Sequence, residues 1–538
     1  MEEKNYNSIP KEKFEFANKG EKLSDTKFDT KPIGYFKDAM IRFRKNKASV
    51  VAAIIIALIV LYALIVPLVT PKENKYLLDT RYAHKGPRIT SLKESLGIFD
   101  GGVTKTYSEA QFIYEAAKGV AALEADGEHV SISQGLDKSN KYQSISKIYS
   151  IEEVTQGRRS VLNYTIKYDT YLSVGFIYED VEQEEYARIR AWEQETGLRI
   201  IYPLIDVYTE NVKYVFDTNV PESANYWYKA SKQNNSKLVP ISTASGEDRL
   251  MELDDDMNLV LEDNYYRDDD GNLVYYKGVG GGGSDTQQYR IRVLYYNYYI
   301  YKNNIEPNYF LGTDSQGYNL AVRLADGIKL SLFFAIIVST INFIIGAMYG
   351  AVEGYYGGAV DLTLERITDI LVGMPFIIVA TLFQKHLADD VGPIVCLIFA
   401  FVVTGWIGTA SRVRTQFYRF KNQEYVMAAR TLGARDRRII WKHIFPNTLG
   451  TIITSSVLVI PGVIFNESML SFLGIVSLGN SKTTSLGTLL SDARTIWTKY
   501  PHVMLAPAIV IGLLMICFNL FGNGLRDAFN PTLRGVEE

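Results

Sequence analysis

Six windows of this 538-residue chain are apolar over the length that a bilayer demands, and no other feature restricts its fold as much. A helix crossing a hydrocarbon core of about 30 Å needs roughly 20 apolar residues, because every backbone N–H and C=O must be satisfied within the segment. Ser49–Val69 is the cleanest window, with Ile54-Ile55-Ile56-Ala57-Leu58-Ile59-Val60-Leu61 at its centre and Pro67 near its close. The others are Lys329–Ala351, Ile367–Phe383, Gly392–Ala410, Leu449–Leu473 and Val503–Phe521. The third of the six contains Met374-Pro375, and a proline inside a span is tolerated where neighbours re-satisfy the backbone groups it frees. For the first window the alternative is a cleaved signal peptide. A long charged segment precedes it and no small-residue cleavage site follows, so a retained anchor is preferred.

Basic residues near span ends set orientation. Lys37, Arg42, Arg44, Lys45 and Lys47 precede the first span. The connection between spans four and five carries Arg412, Arg414, Arg419, Lys421, Arg430, Arg435, Arg437, Arg438 and Lys442, against Glu424 and Asp436. Both stretches are expected in the cytoplasm, together with both termini. Val352–Arg366 has no positive excess and adds no support. The formal net charge of −3 points to no nucleic-acid partner.

This topology divides the chain into four parts. Residues 1–30, charged and without periodicity, are expected to be a disordered cytoplasmic tail. Residues 31–70 are a cytoplasmic segment and the first span, 71–307 an extracellular inserted domain, and 308–538 a five-helix core with a cytoplasmic loop at 411–447. The fold class expected is mainly α, a six-span polytopic membrane protein with a large extracellular α+β insert. Within the insert, Ser108-x-x-Gln111 resembles a capping box opening a helix over Glu109–Ala125, stopped by Gly127. Glu182–Glu195 reads as a second helix ended by Gly197. Ile145–Val154, Val161–Tyr168 and Tyr171–Tyr178 have strand composition, and Leu198–Tyr208 with Pro203 is at best an edge strand. Asp270-Gly271 signals a hairpin between Leu259–Tyr266 and Leu273–Tyr276. Gly280–Ser284 is linker-like.

The connection between spans four and five is also the most informative segment for function. In Tyr425–Leu432, the residues Tyr425, Ala428, Ala429 and Leu432 recur at helical spacing and form one face. The two alanines would let another surface approach the backbone. Gly433 suits a left-handed helix end. Asp436 is placed to cap a second helix, whose Ile440 and Ile444 share a stripe until Pro446 stops it. Two readings stand open: a platform presented to a partner, or a loop that is basic because it is cytoplasmic, with its apolar face packed on the spans. A DNA-reading helix-turn-helix is disfavoured by the flanking spans.

The run Glu424–Pro446, with Ala428-Ala429, Gly433 and Ile444-Phe445-Pro446, resembles the EAA loop of ABC-importer permeases. More specifically the chain is similar to the C-type permease of the oligopeptide, dipeptide and nickel importers. The likeness extends over Arg42-Phe43-Arg44-Lys45-Asn46-Lys47, Pro67-Leu68-Val69-Thr70-Pro71 and Leu311-Gly312-Thr313-Asp314-Ser315-Gln316-Gly317. It continues through Gly354-Tyr355-Tyr356-Gly357-Gly358-Ala359-Val360-Asp361 and Glu467-Ser468-Met469-Leu470-Ser471-Phe472-Leu473-Gly474. It ends with Phe518-Asn519-Leu520-Phe521-Gly522-Asn523-Gly524-Leu525-Arg526-Asp527 and Asn530-Pro531. The resemblance implies a type I ABC importer permease fold in the plasma membrane, carrying oligopeptides or dipeptides. It implies a homologous second permease subunit as heterodimer partner, two cytoplasmic ABC ATPase subunits, an extracellular substrate-binding protein, and lipid around the spans. Glu424, Tyr425, Ala428, Ala429, Gly433 and Pro446 would then couple to the ATPases. Two departures stand out. Met427 stands where the family's motif has Glu, and the insert is far longer than the usual connection.

Asn466 and Glu467, on span five, are candidates for the translocation path, since an ionisable residue at membrane depth is a functional hypothesis by default. The alternative is that Glu467 faces a vestibule or bonds to a neighbouring helix. Lys329 and Arg366 read as snorkelling anchors. Asp254-Asp255-Asp256 and Asp268-Asp269-Asp270-Gly271 lack the alternating spacing and terminal Glu of a calcium loop and read as turns. Cys396 and Cys517 lie in apolar windows as packing residues, and the five His show no zinc spacing. The chain has no Gly-x-x-x-x-Gly-Lys-Ser/Thr run and no nucleophile elbow. No catalysis, cofactor or metal is expected of it. The reading from another class is a membrane-anchored receptor or scaffold that uses the insert to bind and transports nothing.

Overall fold

The structure is a computed structural model, and it describes residues 35–71, 75–89, 99–124, 130, 136–137, 139–156, 159–205, 223–225, 231–233, 237–239, 251–253, 259–261, 265–279, 288–479 and 483–529. The tail 1–30, Gly127, Asp254–Asp256, Gly280–Ser284 and Asn530-Pro531 lie outside the described residues.

A basic amphipathic helix, α1 (Tyr35–Lys45), leads into α2 (Lys47–Val69), the first span. Asn46 caps α2 by accepting from Ser49 N at 3.2 Å. Among the described residues five helices are long and apolar enough to cross a membrane: Lys47–Val69, Leu320–Tyr356, Pro393–Phe420, Asp436–Phe472 and Pro501–Phe529. A sixth crossing is available only if the bent pair Gly358–Val372 and Phe376–Val391 forms one. The window Ile367–Phe383 falls across this bend. It is not a straight helix but two, meeting at 73°. Pro375 supplies no N–H and takes an extended conformation with ψ of 123°, which ends the first helix and begins the second.

The inserted part is α+β. β1 (Gly102–Ser108) runs into α3 (Glu109–Leu123). The capping-box glutamine, Gln111, accepts from Ser108 N at 3.2 Å. β2 (Ile145–Gln156) and β3 (Arg159–Asp169) complete an antiparallel sheet of order β1-β3-β2. α3 lays Phe112, Ile113, Ala116, Ala117, Val120 and Ala121 on this sheet, and Phe112 stacks on Tyr164 at 4.2 Å.

β4 (Phe176–Glu182), α4 (Gln183–Thr196) and β5 (Ile201–Tyr202) follow, with Gly197 ending α4 at φ 70°. Two short ladders, β6–β7 (Ser231–Gln233 with Lys237–Val239) and β8–β9 (Met251–Leu253 with Leu259–Leu261), precede β10 (Tyr276–Val279) and β11 (Gln288–Leu294). β11 is the centre of the second sheet. It pairs β4 along one side, and β10 and β5 along the other. Its Arg292 is fully buried, donating to Ala224 O at 2.7 Å and Pro203 O at 3.2 Å while lying 3.9 Å over the Phe176 ring.

Three expectations in the insert are corrected. Tyr171–Tyr178 is not one strand: Leu172–Val174 forms a 3-10 turn, and Gly175 at φ 65° redirects the chain into β4. Within 198–205 the strand of the Leu198–Tyr208 window is confined to the two residues of β5, because Pro203 cannot continue a ladder, and 206–208 lie outside the described residues. Leu259–Leu261 pairs with Met251–Leu253 rather than across Asp270-Gly271. A tight turn does form there. Gly271 has φ 83°, Arg267 bridges Leu273, and Asp268 Oδ1 accepts from Asp270 N and Asn272 N.

After β11 comes α5 (Tyr295–Asn303), a helix despite its tyrosine-rich, strand-like composition. Tertiary packing decides it: Tyr296, Tyr298 and Tyr299 are buried, and Tyr299 joins Tyr82, Tyr171 and Tyr309 in one aromatic cluster. The motif 311–317 then grips the segment that follows the first span. Thr313 N donates to Lys85 O at 3.0 Å, His84 N to Asp314 O at 2.9 Å, and Arg88 N to Tyr309 O at 2.8 Å. Gly312 (φ 81°) and Gly317 (φ 86°) lie against the backbone of Lys85 and Asp79 with no room for a Cβ.

The core continues with α6 (Leu320–Tyr356), α7 (Gly358–Val372), α8 (Phe376–Val391), α9 (Pro393–Phe420), α10 (Glu424–Thr431), α11 (Asp436–Phe472), α12 (Leu486–Ala493) and α13 (Pro501–Phe529). α6 packs on α9 through Gly346, Gly350 and Gly354, where a Cβ would strike Trp406 O, the Ala410 backbone and Phe417 Cβ respectively. Small residues four apart let two membrane helices approach backbone to backbone. Cys396 and Cys517 are buried and free, as packing residues should be.

Candidate functional site

The connection between α9 and α11 forms a short helix lying outside the bundle. α10 buries one side chain, Val426, fully against the core. The face expected from periodicity points the other way. Tyr425 is 39% exposed and Leu432 87%, Glu424 and Ala428 are exposed, and Ala429 is half-buried. The reading in which this face packs on the spans is corrected. Val426 does that work, one residue off the stripe. Gly433 has φ 79° and open space around its Cα, so it makes the left-handed exit from α10.

Two further expectations change. Asp436 does not cap the following helix through its side chain. Its Oδ1 accepts instead from the Tyr355 hydroxyl at 2.6 Å. Nor does Pro446 stop that helix. Ile439–Ile444 is a π-helical turn, and α11 runs on through Phe445-Pro446 to Phe472. The wider turn accommodates the N–H that proline lacks, and such turns recur at functional sites. Ile439, Ile440 and Ile444 are buried beneath it.

Behind the platform lies a charge cluster that sequence reasoning missed. Arg414, on α9, holds Asp361 of α7 with Nε at 2.6 Å and Nη2 at 2.7 Å. It reaches Glu365 at 2.8 Å and lies 3.7 Å from Glu353 of α6. Tyr418 adds a 2.5 Å bond to Asp361, and Lys421 Nζ donates to Gly354 O at 3.0 Å. A bidentate guanidinium fixes orientation as well as distance. Arg430 of α10 closes the circuit by donating to the Tyr355 hydroxyl at 3.4 Å. The signal was present, since Asp361 ends one motif and Arg414 lies in the basic loop, but spacing alone does not show that they meet.

Glu467 lies elsewhere, fully buried between helices. Its carboxylate accepts from the hydroxyls of Ser485 at 2.7 Å, Ser471 at 3.2 Å, Ser331 at 3.3 Å and Ser468 at 3.4 Å. Of the alternatives left open, bonding to neighbouring helices is the one observed. Gly487 of α12 packs so close that a Cβ would sit 2.9 Å from Glu467 Oε1. Asn466, beside it, is half-buried. A cavity of about 240 Å³ lies between α6 and α11, lined by Ser339, Thr340, Phe343 and Ser456 among others. Lys329 and Arg366 pair with Asp326 at 2.6 Å and Asp369 at 3.0 Å. Among the described residues, no group of three or more His, Cys, Asp or Glu is arranged to hold a metal.

Residues 343–535 match the family described as the binding-protein-dependent transport system inner membrane component. Residues 34–87 match the N-terminal TM domain of oligopeptide transport permease C. The dipeptide transport system permease protein DppC of Bacillus subtilis is 39% identical over 236 residues, which are 43% of this chain and 72% of the relative. The oligopeptide permease protein OppC of the same organism is 37% identical, over 42% of this chain and 73% of the relative. OppC of Haemophilus influenzae is 40% identical, over 42% and 71% respectively. An inward-facing structure of the MetNI methionine ABC transporter aligns at 17% identity over 39% of this chain and 96% of that one, with a TM-score of 0.32.

Proposed function

Because the chain belongs to the binding-protein-dependent transport permeases, in their oligopeptide and dipeptide branch, we propose that it is one of two homologous permease subunits forming the path of an ATP-driven peptide importer. The observation that carries this reading is the platform. α10 turns Tyr425, Ala428 and Leu432 outward while Val426 and the Tyr355–Asp436 bond fix it to the bundle. Such a surface suits a partner protein, and transporters of this family work with ATPase and substrate-binding partners. The basic face is cytoplasmic, and the insert faces the outside.

The mechanism is alternating access. Closure of two ATPase subunits displaces α10. The Tyr355–Asp436 bond carries the motion to α6, and the Arg414 cluster carries it to α7 and α9. The glycine contacts make α6 and α9 move as one body. The groove between α6 and α11 is our candidate for the path wall, with Asn466 further along α11. The enclosed Glu467 braces that wall from behind. Glu424, Ala428, Ala429, Gly433 and Pro446 shape the coupling surface, and lipid covers the apolar outer faces of the spans. Met427, 52% exposed, leaves the platform without the family's acid, so any ion pair there must come from Glu424.

Purification from native membrane should bring down P-loop ATPases, and vesicles holding the assembly should accumulate labelled dipeptides or oligopeptides with ATP. An Ala429→Trp variant should insert normally and lose uptake while the ATPases still hydrolyse. Normal uptake by that variant would sink the coupling assignment. The receptor or scaffold reading draws nothing from the relatives, which are themselves named as permeases.

A further inference from the structure

A cleft of about 460 Å³ opens on the insert where it joins the segment following the first span. Asp79 lines it, with Tyr295 and Tyr298 as aromatic wall and Glu179, Arg81 and Lys302 around it. Asp79 is 6% exposed. Its Oδ1 accepts from the Tyr295 hydroxyl at 2.7 Å and from the N–H groups of Arg81 and Tyr82 at 3.1 and 3.3 Å. Its Oδ2 is buried with no hydrogen-bond partner. A buried carboxylate oxygen without a donor is costly, and such orphans are rare enough to call for a reason.

The missing partner must be a donor small enough for the cleft, and preferably a cation. Glu179, half-buried in the same cleft, adds a second negative charge. Burial raises both carboxyls above their ordinary range, with Tyr295 opposing it at Asp79 and Arg81 at Glu179, so a bound cation would offset the cost of holding them ionised. Tyrosine faces also attract ammonium groups, and Lys302 Nζ already lies 5.3 Å over the Tyr298 ring. A simple amine would leave Arg81 unused. A guanidinium beside two acids suits a ligand that carries a carbonyl or carboxylate close to its ammonium.

We propose that this cleft binds the free N-terminus of a short peptide, with the ammonium on Asp79 and Glu179 and the neighbouring carbonyl or carboxylate on Arg81. The choice of a peptide over another zwitterion rests on the import reading above. The cleft then acts as a peptide site on the permease itself, on the connection between the insert and the first two spans.

The test is equilibrium binding of labelled trialanine to the full chain in lipid nanodiscs, against N-acetyl-trialanine and free alanine. Trialanine should bind saturably, and acetylation should weaken it at least tenfold. Glu179→Gln and Arg81→Gln should each weaken it severalfold without altering the yield of folded protein. Asp79→Asn should do the same, and because Asp79 also holds the turn at 80–82, Glu179→Gln decides if that variant fails to fold. Equal binding of acetylated and free trialanine, or no saturable binding, would overturn the proposal. Alanine binding as tightly as trialanine would overturn the peptide assignment. Uptake and ATPase copurification read the import reading separately: intact uptake with no binding in the cleft removes this site and leaves that reading standing.

Discussion

The Tyr355 hydroxyl donates to Asp436 Oδ1 across 2.6 Å, tying the end of the second span to the first residue of α11, just past the platform. A hydrogen bond to a charged group contributes about 1.5–3 kcal/mol. Tyr355→Phe and Asp436→Asn should each leave ATPase binding intact and reduce peptide transported per ATP hydrolysed. The double variant should be little worse than either single one. Additive losses in reconstituted vesicles would show that the pair does not act as a unit.

Leu432 and Val426 lie on one short helix and should respond in opposite ways. Leu432→Asp changes an exposed side chain, so the protein should insert with stability within about 0.5 kcal/mol of the parent, yet lose copurifying ATPase. Val426→Asp buries a carboxylate with no partner, at a cost of several kcal/mol, and should reduce the yield of folded protein. Fluorescence-detected gel filtration in detergent, followed by pull-down, separates the two outcomes.

Gly350 has no room for a methyl group because the Ala410 backbone occupies the position of its Cβ. Gly350→Ala should force α6 and α9 apart and lower the detergent melting temperature by several degrees, consistent with overpacking costs of about 1–3 kcal/mol. Gly462, with nothing within 4 Å of a built Cβ, is the control. Gly462→Ala should be silent or mildly stabilising.

His84 stacks on Tyr500 with ring centroids 4.7 Å apart and 9° between planes, joining the segment after the first span to the start of the last. Burial lowers its pKa below the ordinary value, with Asp314 pulling it up and Lys85 pushing it down. A base with a depressed folded pKa takes up fewer protons folded than unfolded. Its neutral form therefore costs no stability above the unfolded pKa, about 6.5, and stability falls as pH drops through that value toward the folded one. Hydrogen-exchange protection factors at 84–88 and 311–317, taken relative to the intrinsic rate at each pH, should fall between pH 7.5 and 5.5. In His84→Asn, which tolerates the φ of 58° at this position, that loss of protection should be smaller, with the remainder carried by His502, a second titratable imidazole beside Lys85 and Thr313.

The apolar windows were legible because a span must be apolar whatever it packs against. The helix caps were legible because Gln111, Gly197 and Gly433 act on neighbours in sequence. What escaped was pairing at a distance. Arg414 and Asp361 are separated by 53 residues and meet because glycines on α6 bring helices together. The break at Pro375 was marked but its angle was not, since a proline kink depends on what fills the space beside it. Pro446 misled for the converse reason. Its cost is absorbed by a π-helical turn that no residue type announces. Tyr295–Asn303 carried no sequence signal for a helix and forms one where its tyrosines enter an aromatic cluster.

The resemblance had a physical content that the motifs did not reveal when read singly. Four of them lie where separate segments of the chain meet. Gly312 and Gly317 meet the segment after span one, and Gly354 meets α9. Glu467 meets α6 and α12's cap. Gly524 leaves space for Ser49, whose Oγ bonds Leu520 O at 2.9 Å.

Arg88 and Tyr309 face each other in an isolated antiparallel bridge, so the chain leaves the core and re-enters it one strand spacing apart. Everything between them is, to the permease, a closed ring with its clasp already fastened. The entropy of closing a ring grows only with the logarithm of its length, by about 0.6 kcal/mol per doubling. The core is therefore almost indifferent to how large the ornament is. A gene that gained, lost or exchanged this domain would leave the helices below to assemble as before.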